Sequence, residues 1–379
     1  MHITFVSNYI NHHQLPLSEE LFRLTGGEYT FLQTEPMTEE RIKMGWDPEL
    51  VKKPYVKLFD DDPEGAKKLI LESDAVIFGG TEKQELIIPR LEAGKFTLRY
   101  SERLYKTGRW KFISPRGLKQ KRYDHTRFKK SPAYLLCAGA YVAGDFRLIG
   151  AYPKKMLKFG YFHEFIEYEN VHFKRRRQGA AEKVFTDILW AGRFIDWKHP
   201  EMMVLLARRL ARKGYPFHVT MVGDGEMLEE IKKEVKERKF SELFTFTGSK
   251  TPEEVRELML NSEIFISTSD RQEGWGAVVN EAMNSGCITI AAKEIGSAPW
   301  LIEDGVNGYT YKAIDIEEML AKAEEAISDR TTGYIMGRKA YETIKKTWNA
   351  TIAAQRLYDF IADPEHKIPD YENGPLSRA

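Results

Sequence analysis

The sequence predicts an α/β protein made of two Rossmann-like domains joined by one linker. Three observations carry that reading. The chain has 379 residues, more than one core holds at roughly 150 residues per domain. Strand-like and helix-like stretches alternate along nearly all of it. The alternation breaks once, at residues 165–184, and then restarts.

The first half opens with "HITFVS", a buried-strand pattern, and the helical "LPLSEELFRL". Further strands are expected at "AVIFGG" (Ala75–Gly80), "KFTLRY" (Lys95–Tyr100), "AYLLCA" (Ala133–Ala138) and "MLKFGYF" (Met156–Phe162). Helical spacing runs through "PEGAKKLILES", "KQELIIPRLEAG" and Arg116–Lys130. The stretch "FIEYENVHFKRRRQGAAEKV" is charged and weakly periodic, as a linker is. Strand "DILWAG", helix "PEMMVLLARRLARKG", strand "FHVTMVG" and helix "EMLEEIKKEVKERK" follow. Then come strand "LFTFTG", helix "PEEVRELML" and strand "EIFISTS". Pro200 and Pro252 suit first helical turns, where a missing N–H costs nothing. Such alternation implies parallel βαβ units with right-handed crossovers. The expected boundaries are a first domain at 1–164, a linker at 165–184, a second domain at 185–345, and a final helix with a loose Pro/Gly-rich tail at 346–379.

Composition narrows the function. Apolar residues make up 42%, and 57 basic residues balance 56 acidic ones. Net charge therefore gives no case for nucleic-acid binding. Cys137 and Cys287 sit in apolar runs and read as buried thiols. No basic-then-apolar leader opens the chain and no apolar run approaches the ~20 residues of a membrane span. The expectation is a cytoplasmic protein, at most peripheral at the inner face of the membrane. Between Ser101 and Lys130 eleven basic residues face two acidic ones, and "KRRR" follows at 174–177. Three readings of Arg103–Lys130 are open: a solvated helical face, contact with an anionic membrane surface, or guidance of an acidic acceptor. Its aromatics, Trp110, Phe112, Tyr123 and Phe128, invite a single-stranded nucleic-acid reading, but the acidic remainder of the chain argues against it. His125, in the same stretch, is expected at the surface. "FDDDP" at Phe59–Pro63 reads as acidic residues complementing a helix start, not as a metal site.

The chemistry concentrates at strand ends, where open α/β sheets bind ligands. In "STSDRQEGWGAVVNEAMNSGCITIAA", Glu273 and Glu281 flank Gly274 and Gly276 between two apolar strands. The helix starting near Gly276 or Ala277 has no Ser, Thr, Asp or Asn before it to cap its amides. A phosphate fills that role, drawn by free N–H groups and the positive end of the dipole, and glycines let it approach. Glu281, one turn in, suits the vicinal hydroxyls of a ribose; Glu273, on the other side, suits those of a sugar. Arg193 and Lys198 in "LWAGRFIDWKHP" bring two cations to the same edge, where they neutralise a diphosphate. Gly223 and Gly225 in "VGDGE", and Gly248 in "TFTGSKTPEE", mark further strand-to-helix loops.

In order, these motifs resemble those of glycosyltransferase family 4, whose members have the GT-B fold: two Rossmann-like domains facing each other across a cleft. "EGWGAVVNEAM" is similar to the family's E-x7-E signature and "AGRF…K" to its phosphate-binding Arg and Lys. "VGDGE" resembles its central glycine turn and "IEDGVNGYTY" the segment closing its sheet. The Trp348 region resembles the helix that crosses back to the first domain. The resemblance covers about Asp187 to Ile361. It implies a retaining transferase needing no metal, with a UDP- or GDP-linked sugar as co-substrate. Arg193 and Lys198 then hold the diphosphate, Glu273 the transferred sugar, and Glu281 the ribose. Gly223, Gly225, Gly248, Gly274, Gly276, Ala277 and Val278 line the donor. The acceptor, a glycan or lipid-linked glycan in cell-surface polysaccharide synthesis, falls to the first domain. There the motifs depart from the family. "SNYINHHQLP" replaces a glycine pair, and Ser101 and Glu102 stand where many members place a histidine. Glu102 is the candidate substitute, and Asn8, His12 and His13 are candidates for contact with donor or acceptor. Two alternatives stay open: a nucleotide-sugar epimerase of the same fold, and a non-catalytic nucleotide- or glycan-binding module. A dinucleotide oxidoreductase is disfavoured, since no G-x-G-x-x-G follows the first strand.

Overall fold

A computed structural model of the chain describes residues 1–43, 45–81, 83–106, 115–128, 130–169, 173 and 184–379. They form two compact units, Met1–Glu164 with Thr347–Ala379, and Phe165–Lys346. Trp110, Phe112, the 174–177 cluster and most of the expected linker lie outside the described residues.

Among the described residues, the first unit holds β1 (Ile3–Ser7), β2 (Tyr29–Gln33), β3 (Val56–Leu58), β4 (Ala75–Gly79), β5 (Thr97–Ser101), β6 (Ala133–Ala138) and β7 (Met156–Phe159). They pair in the order β3-β2-β1-β4-β5-β6-β7, all parallel. β1, β4 and β6 are buried along their whole length, as strands covered on both faces must be, which is why they read as unbroken apolar runs. The helix Ala350–Ala362 packs on the helix Leu15–Leu24, and Thr351 Oγ1 donates to Glu20 at 2.9 Å.

The tail differs from expectation. It is not loose: Leu376 N–H donates to the Lys158 carbonyl, and the Lys158 N–H to the Ser377 carbonyl, both at 2.8 Å. β7 is an edge strand with unpaired backbone groups, and the tail satisfies them. His125 also differs. It is half-buried, its ring packed edge-on against Phe146 with Nδ1 3.1 Å from the Tyr152 hydroxyl. Burial, aided by Arg99 and Lys121, pushes it down to about 3.

The second unit holds β8 (Thr186–Ala191), β9 (Phe217–Val222), β10 (Phe244–Phe246), β11 (Ile264–Ser267), β12 (Ile288–Ala292) and β13 (Tyr309–Tyr311). Their order is β10-β9-β8-β11-β12-β13, again all parallel. Cys287 packs with Leu189, Phe265, Met259 and Ala282 in the core, and both cysteines are free and buried. Thr251 and Glu254 form a reciprocal cap ahead of Pro252. Part of the expected linker belongs to this unit: the backbone of Ile166 exchanges two hydrogen bonds with Asn284, each 2.9 Å. In both sheets the order reverses once, between β1 and β4 and between β8 and β11. Those reversals open a crevice at the carboxyl ends of the strands. No helix among the described residues is long and apolar enough to cross a membrane.

Candidate functional site

The second sheet reverses between the strands that carry the strongest motifs. β8 ends at Ala191 and leads through Gly192 and Arg193 into a 3-10 turn, Asp196–Lys198. The β9 loop docks against it: Gly192 N–H donates to the Val222 carbonyl at 3.0 Å and Phe194 N–H to the Asp224 carbonyl at 2.9 Å. Glycine is required for that docking. A Cβ on Gly223 would sit 1.9 Å from the Gly192 oxygen, and one on Gly225 2.5 Å from the Phe194 oxygen, at φ +129° and +150°. Gly248 accepts from the Gly223 N–H at 2.9 Å, extending the same ladder of loops to β10.

Lys198 and Glu273, 75 residues apart, meet as an ion pair, each side chain 15% exposed. Ser269 Oγ donates to the same carboxylate oxygen, Oε2, at 3.3 Å. Oε1 accepts no hydrogen bond among the described residues. The Lys198 ammonium also lies 4.8 Å from the Trp197 ring centre, with the Arg193 guanidinium carbon at 5.8 Å from it. The Arg193 side chain makes no hydrogen bond or ion pair among the described residues. The structure thus brings Arg193, Lys198 and Glu273 together. It adds a feature that spacing alone did not reveal: the lysine is neutralised by the glutamate.

Gly276 caps the helix Ala277–Asn284 in a left-handed conformation, φ +85°, with no side-chain cap. A Cβ there would meet Ile295 at 2.5 Å, so only glycine fits. The buried Trp275 pins the turn, its indole N–H donating to Asn280 Oδ1 at 2.8 Å. The start of this helix therefore offers bare donors beside Gly274, Ala277 and Val278. Glu281 is half-buried on it. Burial pushes its carboxyl up to about 7; Arg256 opposes the shift and Glu253 adds to it.

Residues that sequence reasoning missed lie in the run Thr268-Ser269-Asp270. Thr268 Oγ1 donates to the Lys198 carbonyl at 2.6 Å, Ser269 supports Glu273, and Asp270 N–H donates to the Trp197 carbonyl at 3.0 Å. His199, at φ +48°, bonds Glu201 through Nδ1 at 2.9 Å and reaches Asp270 at 3.7 Å. That hydrogen bond to Glu201 raises its pKa. The only available signal was a hydroxyl-rich segment directly after a buried strand.

The carboxyl edge of the first sheet is built differently. Its first loop lacks glycines and is held by amides instead. Gln14 Nε2 donates to Ser7 Oγ at 3.2 Å, Asn11 Oδ1 accepts from His13 N–H at 3.0 Å, and Gln33 Oε1 accepts from Ile10 N–H at 3.2 Å. Asn8 Oδ1 accepts from Ser7 Oγ at 3.1 Å. His12 and His13 have ring centres 3.9 Å apart, and His163 lies 4.5 Å from His13. Burial holds His13 well below the usual imidazole range, with His163, His12 and Arg41 adding to it. Glu102 is bound to Lys106 and accepts from the Tyr161 hydroxyl at 2.8 Å. At Phe59–Pro63, Asp62 caps the following helix, accepting from Gly65 N–H at 2.9 Å.

Two parallel sheets of this order, each with helices, define the class: a GT-B protein, similar to glycosyltransferase family 4. More particularly, residues 172–343 match the family described as Glycosyl transferases group 1. The chain is 31% identical over 152 residues to sulfoquinovosyl transferase SQD2 of Arabidopsis thaliana, covering 38% of this chain and 28% of that protein. It is 22% identical over 193 residues to a GDP-mannose-dependent alpha-(1-6)-phosphatidylinositol monomannoside mannosyltransferase of Mycobacterium tuberculosis, covering 49% of each. These matches span between about a quarter and a half of the length of the curated relatives. The fold is that of Anabaena HepE, solved in complex with UDP, at TM-score 0.72 and 15% identity over 96% of this chain and all of that one. A glycosyltransferase from Rickettsia africae matches at TM-score 0.68 and 13% identity, covering 95% and 97%.

Proposed function

We propose that this chain is a retaining glycosyltransferase that moves a sugar from a nucleoside-diphosphate sugar to an acceptor hydroxyl. The observation that carries the reading is the convergence of Arg193, Lys198 and Glu273 beside the uncapped start of the Ala277 helix, at the reversal of the second sheet. Curated relatives whose names specify sulfoquinovosyl and mannosyl transfer support it, as does the HepE structure solved with UDP.

The groups divide the work by charge. The diphosphate takes the helix amides on one side and the two cations on the other. Lys198 has three N–H donors, so it serves Glu273 and a phosphate oxygen at once. The open oxygen of Glu273 accepts a sugar hydroxyl, and ionised Glu281 accepts the ribose pair. In the transfer step the bond from the anomeric carbon to the diphosphate breaks and one to the acceptor oxygen forms on the same face. The acceptor's proton leaves on the departing diphosphate. Fixed cations stabilise the growing negative charge, which is the role a metal plays elsewhere; full activity in a chelator tests that substitution.

UDP- and GDP-linked hexoses are the donors to try, with simple glycosides and lipid-linked glycans as acceptors. Proton NMR of the product should show the donor's anomeric configuration kept. An inverted product contradicts retention, and an isomeric sugar formed from donor alone indicates an epimerase. Binding without turnover across the panel indicates a non-catalytic module. Within this reading the first unit takes the acceptor, with Asn8, His12, His13 and Glu102 as its candidate contacts. Work at the inner membrane face and in polysaccharide synthesis belongs to the same proposal, and vesicle co-sedimentation of Arg103–Lys130 charge variants addresses the membrane part.

A further inference from the structure

Lys198 sits on a short turn, and a turn alone does not fix a long side chain. A buried hydrogen-bond chain runs beneath it. The Trp190 indole N–H donates to Thr268 Oγ1 at 2.8 Å, and Thr268 Oγ1 donates to the Lys198 backbone carbonyl at 2.6 Å. Trp190 is 2% exposed and Thr268 1%. The direction of both bonds is dictated by chemistry. An indole nitrogen only donates and a carbonyl only accepts. The hydroxyl must therefore receive from one and give to the other, which leaves its rotor a single orientation.

The same strand end fixes the other half of the ion pair. Ser269, the next residue, donates to Glu273 Oε2. The Lys198 stem passes beside Gly192, where a Cβ would lie 3.3 Å from the Trp190 ring and 3.8 Å from Lys198 Cδ. Trp190 thus reaches the lysine turn through Thr268, and its ring and the Lys198 stem both flank Gly192.

We infer that Thr268 is a positioning residue for Lys198: its hydroxyl, oriented by Trp190, sets the backbone from which the ammonium reaches Glu273 and the diphosphate. The inference rests on the proposed role of Lys198, though the orientation itself does not depend on it. Removing the hydroxyl leaves the buried indole N–H and the part-buried Lys198 carbonyl without this partner. The turn then relaxes, and the loss is felt where charge develops more than where donor is bound.

The test uses Thr268→Val, which keeps the shape, and Thr268→Ser, which keeps the hydroxyl. Thr268→Val should lower kcat about tenfold, with donor KM changed less than about threefold. Thr268→Ser should restore most of the rate. In a Lys198→Ala background, Thr268→Val should cost little more, because the lysine it positions is gone. Full kcat in Thr268→Val, or an undiminished loss in the Lys198→Ala background, overturns the inference. A second readout is independent of activity: the coupling between Lys198 and Glu273 in a double-mutant cycle of melting temperatures. It should shrink by at least half when Thr268 is Val. An unchanged coupling overturns the positioning role, whereas a shrunken coupling in a protein that binds no activated sugar upholds it and removes the transferase reading instead.

Discussion

The two sheet edges place polar groups at equivalent points of similar topologies and use them in opposite ways. At the second edge, opposite charges meet: Lys198 with Glu273, and Arg193 nearby without an ionic partner among the described residues. At the first edge, imidazoles gather with Arg41, and burial keeps His13 neutral. The loops differ too. Glycines let the second unit's loops interlock through their backbones, whereas side-chain amides hold the first unit's loop. A glycine-built edge leaves backbone donors bare for a phosphate. An amide-built edge uses its donors internally and presents rings. On the proposed function, the second edge takes the anionic half of a substrate and the first edge the variable half.

The sharpest way to break this contrast is to remove a cation. Lys198→Ala or Arg193→Ala should lose a charge-assisted contact worth about 1.5–3 kcal/mol, a fall of roughly ten- to more than a hundredfold in kcat/KM. Wild-type turnover in either variant refutes the assignment. Lys198→Ala should also destabilise the fold more than Arg193→Ala, because it strands the largely buried Glu273 carboxylate.

Glu281 gives the next effect. Burial pushes its carboxyl up from an ordinary 4.5 to about 7 on folding. A carboxyl raised on folding contributes stability that is present below about 4.5 and lost as pH rises through 7. The loss is on the order of 3 kcal/mol when complete. Glu281→Gln removes that pH dependence, so urea unfolding at pH 5 and pH 8 should show wild type losing stability relative to the variant. The same variant should bind nucleoside diphosphates more weakly, and only wild-type affinity should gain from ionisation above pH 7. A parallel pH profile in both proteins contradicts the assignment.

His13 carries the opposite sign. Its pKa is depressed on folding, so its contribution is present above the unfolded value near 6.5 and lost on acidification. His13→Gln should flatten the acid limb of stability below pH 6.5, measured by unfolding at several pH values; an unchanged limb contradicts a buried neutral imidazole. Glu102 should matter least. It is engaged by Lys106 and Tyr161, so Glu102→Gln should cost about 1 kcal/mol or less of stability. A rate loss beyond tenfold would place it in the chemistry.

Much of the second unit was legible because its signals are local. Buried strands of four to six residues, amphipathic helices and glycine turns each declare themselves within a short window. Two strands of the first unit did not. β2, YTFLQ, is buried throughout, but Thr30 and Gln33 break the apolar run that marks such a strand, and β3, paired on one side, has only three residues, too short for a period to emerge. Glu273 and Lys198 were each legible as edge residues, but their pairing was not, since it depends on how β8 and β11 register. Thr268 and Ser269 were legible as the end of the strand "EIFISTS", but a hydroxyl's role is set by what lies across from it, so their bonds to Lys198 and Glu273 were not. The tail's pairing with β7 was hidden for the same reason: its partner is more than two hundred residues away.

The central claim is that the carboxyl edge of the second sheet holds a nucleoside diphosphate with Arg193 and Lys198. Titration calorimetry of UDP and GDP against wild type and Arg193→Ala tests it most directly. The account predicts that at least one binds wild type, and binds the variant about ten- to a hundredfold more weakly, as loss of a charged hydrogen bond implies. Equal affinity for both proteins, or no binding of either nucleotide to the folded wild type, contradicts it.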